Sequence, residues 1–365
     1  MSAVLIISPE PWDGLFVSKH HYAIELARRG HSVFFFGPPT ETNELEVEYA
    51  KWHGLQIGVV NSPPVLPGIR YLPPPMRNRF EARWLKNLEH KTNQRVDVVW
   101  LFENSRFFDL RFAGERLKIY QQVDIDQDFQ PMIAARTSDL TIAISRPISR
   151  LLVAEANKLI RVTHGYSAMA TTPLPESELE QRFSDFCSNA VFTGNLDRTY
   201  LDVPLLADLV KGYPETRFHF VGNYTEGRHL HGAVAGLENV LFWGRRPAEK
   251  LPSILKRADI LLVASLADEH LEQLANPHKI MEYLASGKVI LATRTLEYED
   301  TPDLVCTANN RAEFLDRFRE IIGNLEHWNA PERMETRRAF AADNTYAHQV
   351  DRIAAALGER GSLIS

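Results

Sequence analysis

The feature that most restricts the fold is a pattern that occurs twice. Near the start, residues 4–8 form a continuous apolar run, Val4-Leu5-Ile6-Ile7-Ser8. A short run without polar alternation marks a strand buried on both faces. A loop with Gly14 follows, then a predicted helix over 18–29 closed by Gly30, then a strand over 32–36. Ser18 suits the N-cap, and Ala23, Leu26 and Ala27 share a face. The same order returns at mid-chain: a strand over 190–193, a turn Gly194-Asn195-Leu196-Asp197-Arg198, a helix over 203–211, and a strand over 217–221 ending in Gly222-Asn223. Strand, turn, helix, strand makes a parallel pair with a right-handed crossover. Two such halves, joined by a linker over 171–180 rich in Pro, Thr and Glu, call for α/β architecture with two Rossmann-like domains.

Composition narrows the class. A chain of 365 residues has room for two domains. The net charge of −6 argues against a binder of nucleic acid. The two cysteines, Cys187 and Cys306, have no metal-ligand spacing and suit a reducing compartment. No apolar run approaches the ~20 residues that span a bilayer. The N-terminus lacks a basic leader and reads as a first strand, so a cytoplasmic location is expected.

The most informative stretch is 276–288, Asn-Pro-His-Lys-Ile-Met-Glu-Tyr-Leu-Ala-Ser-Gly-Lys. Asn276 is a good N-cap, Pro277 suits the first helical position, and Ser286-Gly287 makes a C-cap. Ile280, Met281 and Leu284 form an apolar stripe, with Lys279, Glu282, Tyr283 and Ser286 on the other side. Lys279 is out of place by helix electrostatics, since a cation in the first turn costs a few tenths to about 1 kcal/mol. A bound anion reverses that sign: free N–H groups and an ammonium make a phosphate site. Glu282, one turn on, can accept hydrogen bonds from vicinal hydroxyls such as those of a ribose. The plain alternative is a local Lys279–Glu282 ion pair.

Other candidates lie at strand ends. Gly194 permits close backbone approach to an anion, and Arg198 offers a bidentate donor for phosphate. Strands over 96–102 and 117–123 precede Asp124-Ile125-Asp126, acidic residues at the carboxyl end of a parallel strand, where a general base would face ligand. Their alternative role is loop solvation and capping. His20 and His21 are adjacent and point about 100° apart on a helix, a poor chelate; one is expected to face a cleft and the other to pack. No metal site is expected. Over 77–95, Phe80, Trp84 and Leu88 recur at helical spacing among Arg77, Arg79, Arg83, Lys86, Lys91 and Arg95. That is either a surface helix with its aromatics inward or a basic amphipathic helix on an anionic membrane face.

The run 276–288 resembles the donor-site signature of GT-B glycosyltransferases, in the branch similar to family 4 and to bacterial exopolysaccharide enzymes. The resemblance implies two Rossmann-like domains facing each other across a cleft, with the last helix, from about residue 346, crossing back to the first. That gives an acceptor domain over 1–170 with 346–365, and a donor domain over 171–345. It implies that Asn276, Pro277, His278 and Lys279 bind the diphosphate of a nucleotide sugar and that Glu282 holds the ribose. The turn Trp243-Gly244-Arg245 would contact the base, although Trp243 equally suits a core. Gly194 and Arg198 would lie near the diphosphate, and Gly14 and His21 would border the cleft. One departure concerns the sugar: where many members carry a second glutamate, this chain has Leu274, with Glu269 and Glu272 nearby.

The expected function is transfer of a sugar, from a UDP-sugar by expectation, to a glycan or lipid-linked acceptor in cell-surface polysaccharide synthesis. Asp124 or Asp126 is the base if the anomeric centre inverts. No cofactor and no metal are expected. The alternatives are a nucleotide-sugar epimerase on the same fold and a non-catalytic nucleotide-sugar-binding protein. Peripheral contact with the inner membrane face through 77–95 goes with the lipid-linked acceptor.

Overall fold

A computed structural model describes the chain except residues 15, 104, 126–128, 168–171 and 184 and the side chains of 267 and 268. It divides into two compact units, Met1–Gly165 with Tyr346–Ser365, and Tyr166–Thr345.

The first unit holds eight strands: β1 (Ala3–Ile7), β2 (Ser32–Phe36), β3 (Glu46–Trp52), β4 (Leu55–Asn61), β5 (Val98–Leu101), β6 (Leu117–Gln122), β7 (Leu140–Ala143) and β8 (Leu159–Arg161). They run in the order β3-β4-β2-β1-β5-β6-β7-β8. All neighbours are parallel except β3 and β4. Leu5 pairs with Phe34 on one side and Val99 on the other, so β1 is central and its five residues are buried. The antiparallel hairpin turns at His53-Gly54, both at positive φ, the geometry that two-residue hairpins demand. Its edge strand carries Glu46, Glu48 and Lys51, charges that discourage pairing with another sheet.

The helix Ser18–Arg28 begins at Val17, not at the predicted Ser18 cap. His20 supplies the cap: its Nδ1 accepts from the Val17 N–H at 3.2 Å, and its Nε2 donates to the Pro11 carbonyl at 2.9 Å. The ring is fully buried, and desolvation lowers its pKa, which keeps it neutral for both bonds. The helix Tyr346–Leu357 packs beside it. Tyr346 stacks on His21 at 4.8 Å and meets Tyr22 edge-on at 5.1 Å. A Cβ on Gly165 would stand 2.8 Å from the Tyr346 ring, so glycine is needed at that turn.

The helix Pro74–Thr92 corrects the expected face. It buries Arg77, Glu81, Trp84, Leu85 and Leu88, while Phe80 is 38% exposed. The inward stripe is set by Trp84, which lies 4.5 Å from Phe36 and donates to Ser62 Oγ at 3.0 Å. Arg77 donates to Asp109 at 2.9 Å and lies over the Phe108 ring at 3.9 Å. Glu81 approaches Arg77 only to 3.9 Å, and neither carboxyl oxygen has a hydrogen-bond partner. Burial pushes its pKa up to about 9. No helix among the described residues is long and apolar enough to cross a membrane.

The second unit has six parallel strands: β9 (Ser188–Thr193), β10 (Thr216–Val221), β11 (Val240–Gly244), β12 (Ile260–Val263), β13 (Val289–Thr293) and β14 (Cys306–Ala308). Their order is β11-β10-β9-β12-β13-β14. The chain steps outward from β9 on one side, then restarts from β12 on the other. Ligands of such sheets bind at the carboxyl ends of strands where the order reverses, here between β9 and β12. In the first unit the reversal lies between β1 and β5.

Candidate functional site

At the carboxyl ends of β9, β10 and β11, on one side of the reversal point of the second unit, three glycine turns are stitched together. The Gly194 N–H donates to Val221 O at 2.9 Å, and the Gly222 N–H donates to Gly244 O at 3.0 Å. Their φ angles are +138°, +148° and, for Gly244, +67°. A Cβ on Gly222 would sit 1.8 Å from the Gly194 carbonyl oxygen. Only glycine lets the ends of β9 and β10 approach this closely.

The helix Lys279–Ser286 leads from β12 toward β13 and meets these turns. It starts later than predicted: His278, in the right-handed helical region, precedes its first residue. Asn276 and Pro277 therefore form a lead-in turn rather than the N-cap and first helical position. Within that turn the Ile280 N–H donates to Pro277 O at 3.1 Å and the Met281 N–H to His278 O at 3.3 Å. Asn276 is buried, Pro277 half-buried and His278 exposed.

Tyr283 also departs from expectation. It is fully buried; its hydroxyl accepts from the Thr193 N–H at 2.8 Å and lies 3.1 Å from Thr193 Oγ1. The helix is thus tied to the last residue of β9, immediately before Gly194. At the other end Gly287 closes the helix at φ +82°. Arg338 donates to Ser286 O at 3.2 Å and Arg337 to Gly287 O at 3.0 Å. Cations at a helix C-terminus are stabilising, and here they hold its far end against the helix Pro331–Asp343.

This scaffold sets Lys279. Its Nζ lies 3.8 Å from the centre of the Phe192 ring and would be 3.1 Å from a Cβ on Gly194. So the ammonium and the Gly194 turn are neighbours, and a side chain at 194 would displace the lysine. The local ion pair with Glu282 does not form: among the described residues Lys279 has no carboxylate within 4.0 Å. Desolvation pulls the Lys279 pKa down to about 7, with Glu282 acting the other way. Glu282 is open to solvent, yet desolvation by the surrounding protein raises its pKa to about 7, against the pull of Lys279. Tyr166 is raised as well, by burial and then by the Glu282 charge.

The other predicted residues are placed less closely. Arg198 and Arg245 are exposed and make no ion pair among the described residues. Trp243 belongs to the core rather than to an open base-binding surface. It is 3% exposed, donates from Nε1 to His219 Nδ1 at 3.1 Å, and carries Arg182 over its ring at 4.4 Å. Gly244 remains at the strand end. Glu269 and Glu272 are exposed, and Leu274 is half-buried.

In the first unit, Asp124 is exposed just beyond the carboxyl end of β6; its carbonyl accepts from Gln122 Nε2 at 3.1 Å. Asp126 lies outside the described residues. A Cβ at Gly14 would meet Pro11 at an ordinary 3.5 Å, so the backbone does not demand glycine there. His21 is half-buried under Tyr346, and desolvation lowers its pKa to about 4. His20, the expected partner in that pair, is the capping residue. Among the described residues no three His, Cys, Asp or Glu side chains gather as a metal site would require.

Comparison with known structures settles the architecture. A sucrose-phosphate synthase from Thermosynechococcus elongatus superposes with a TM-score of 0.72 at 15% identity, over 98% of this chain and 99% of that one. Anabaena HepE, in complex with UDP and glucose, gives 0.69 at 15% identity over 98% and 99%. A UDP-forming α,α-trehalose-phosphate synthase from Burkholderia xenovorans gives 0.70 at 13% identity over 98% and 99%. The fold is GT-B. Within this GT-B chain, residues 187–324 match the family model of Glycosyl transferases group 1, which bears out the resemblance read from 276–288. The match covers β9 through the Lys279 helix to β14 and the helix Arg311–Gly323. A comparison with curated protein sequences returns no match.

Tyr283 is the residue beside the candidate site that sequence reasoning misplaced. Its place is set by the Thr193 N–H on the strand β9, which no local spacing announces.

Proposed function

We propose that the chain transfers a glycosyl group from a nucleoside diphosphate sugar, with uridine as the base, to an acceptor held by the first unit. The observation that carries this is the Lys279 ammonium. It is desolvated, has no carboxylate partner among the described residues and is set beside the Gly194 turn at the reversal point of the second sheet. A diphosphate there would gain the ammonium, the Lys279 backbone N–H at the start of the helix and the exposed Arg198 guanidinium. Support comes from the group 1 match over the same residues and from the UDP and glucose carried by a similarly folded protein.

The chemistry follows from charge. Breaking the bond between sugar and diphosphate leaves negative charge on the departing oxygen. Groups aimed at that charge in a desolvated site lower the barrier. Lys279 and Arg198 supply positive charge that a metal would otherwise bring, so a chelator is expected to leave turnover unchanged. Glu282 would accept from the ribose hydroxyls. For inversion, Asp124 or Asp126 would take the acceptor proton. The acceptor is a glycan or lipid-linked glycan of cell-surface polysaccharide synthesis.

Thermal-shift measurement with a panel of nucleotide sugars tests the reading. A ligand at 100 times its Kd adds about 2.7 kcal/mol to stability. UDP and UDP-sugars are expected to stabilise the wild type and to lose most of that effect in Lys279→Ala. Failure of every nucleoside diphosphate to stabilise the wild type overturns it.

A further inference from the structure

The first unit has its own cavity at its own reversal point, and its chemistry is unlike that of the second. The cavity has a volume of about 370 Å³. It lies beyond the carboxyl ends of β2 and β5, on either side of β1. Phe36 from β2 and Phe107 beyond β5 form one wall; Pro64, Val65, Leu66 and Ile69 form the other. These side chains offer no hydrogen bond to a sugar hydroxyl.

The polar groups at this cavity are few, and most are spent. Arg106 is committed to Glu103 through Nε at 2.5 Å, to Gly37 O at 2.9 Å and to Ser8 O at 3.0 Å, with its guanidinium over Phe36 at 4.9 Å. Ser105 Oγ donates to Glu103. Arg70 differs. It is exposed at the cavity mouth, 5.1 Å over the Tyr71 ring and 5.5 Å over Phe129. Among the described residues it has no carboxylate partner. Tyr71 beside it is 73% exposed. An apolar chamber with an aromatic-backed guanidinium at its mouth, paired to no carboxylate among the described residues, is complementary to an apolar chain with an anionic head. Pockets of this size select mainly by apolar fill, with a few polar groups fixing orientation. A guanidinium matches phosphate and carboxylate oxygens in pairs.

We infer that this cavity seats the apolar chain of an anionic amphiphile, with the head group at Arg70, and that such an amphiphile is the acceptor or carries it. The binding claim stands on the cavity; the acceptor role rests on the proposed transfer reaction.

Decyl phosphate, kept below its micelle concentration, is the probe. Calorimetric titration of the full chain is expected to show saturable binding of one molecule. Affinity should fall at least tenfold in Leu66→Trp, which fills the chamber, and in Arg70→Gln, which removes the charge at an exposed site. Inorganic phosphate at the same concentration should not compete. Phe80→Ser, on the exposed face of the helix Pro74–Thr92, should leave the affinity unchanged. UDP titrated into each variant separates the two ideas: UDP binding without decyl phosphate binding sinks this inference and leaves the donor reading intact. It is also overturned if both cavity variants bind as the wild type does, or if inorganic phosphate displaces the probe. Loss of binding in Phe80→Ser alone, with cosedimentation on phosphatidylglycerol vesicles, would assign the contact to a membrane face instead and overturn the cavity.

Discussion

The two units share a strand order around the reversal point but fill that point with opposite chemistry. In the second, glycine turns bring backbone together and a desolvated lysine stands without a carboxylate among the described residues. In the first, the corresponding end is walled by proline, aliphatic and phenylalanine side chains, and most of its polar groups are already paired. Topology therefore fixes where a ligand can sit, and the loops at the strand ends decide what it is. The contrast extends to buried charge. The second unit leaves its lysine available. The first locks Arg77 onto Asp109, and burial raises the Glu81 pKa beside them.

The largest expected effect breaks the glycine stitching. Gly222→Ala places a Cβ 1.8 Å from Gly194 O, a backbone clash that no side-chain movement relieves. A loss of about 3 kcal/mol, the upper end for overpacking, is expected by chemical denaturation. The unfolding of the first unit should be less affected. Wild-type stability in this variant would show that the glycine contact is not needed.

Next comes the lysine. Lys279→Ala removes charge-assisted hydrogen bonds worth about 2 kcal/mol, roughly thirtyfold in UDP affinity. Decyl phosphate binding to the first unit should not change, which separates the two sites.

Tyr283→Phe leaves the Thr193 N–H without its buried acceptor. The cost is about 1–2 kcal/mol of stability, with a smaller loss of UDP affinity as the β9 turn loosens from the helix. A variant as stable as the wild type would mean that the hydroxyl does not hold the strand end.

A pH dependence is expected at Glu81. Its folded pKa is raised to about 9, far above the usual carboxyl value, so the folded state holds a proton that the unfolded state releases. Its contribution is full below the unfolded pKa and is lost as pH rises toward 9. Glu81→Gln should flatten the decline of the melting temperature between pH 6 and pH 9. An unchanged slope would show that Glu81 is ionised in the fold.

Much of this was legible in the chain. Strand–glycine–helix–strand at residues 4 and 190 required two Rossmann-like units, because apolar runs and crossovers are local signals. Lys279 stood out because it opposes the helix dipole. What the sequence hid depends on distant partners. Tyr283 reads as a solvent-side residue until Thr193 offers an N–H from another strand. Trp243 lies in the core because His219, one strand away, takes its N–H. Phe80 has the spacing of Trp84 and Leu88 but falls outside the stripe set by Arg77 and Glu81. The apolar cavity is assembled from residues some seventy apart in sequence, and no periodicity announces it.

The central claim is that Lys279 grips the donor diphosphate, and its pKa of about 7 makes that claim measurable. At pH 8 the amine is mostly neutral before binding, while Glu282 is already mostly ionised. UDP should be titrated calorimetrically at pH 8 in two buffers of different ionisation enthalpy. The account predicts uptake of close to one proton by the wild type and none by Lys279→Ala. Binding of UDP by the wild type with no proton uptake, or with uptake unchanged in Lys279→Ala, would contradict it.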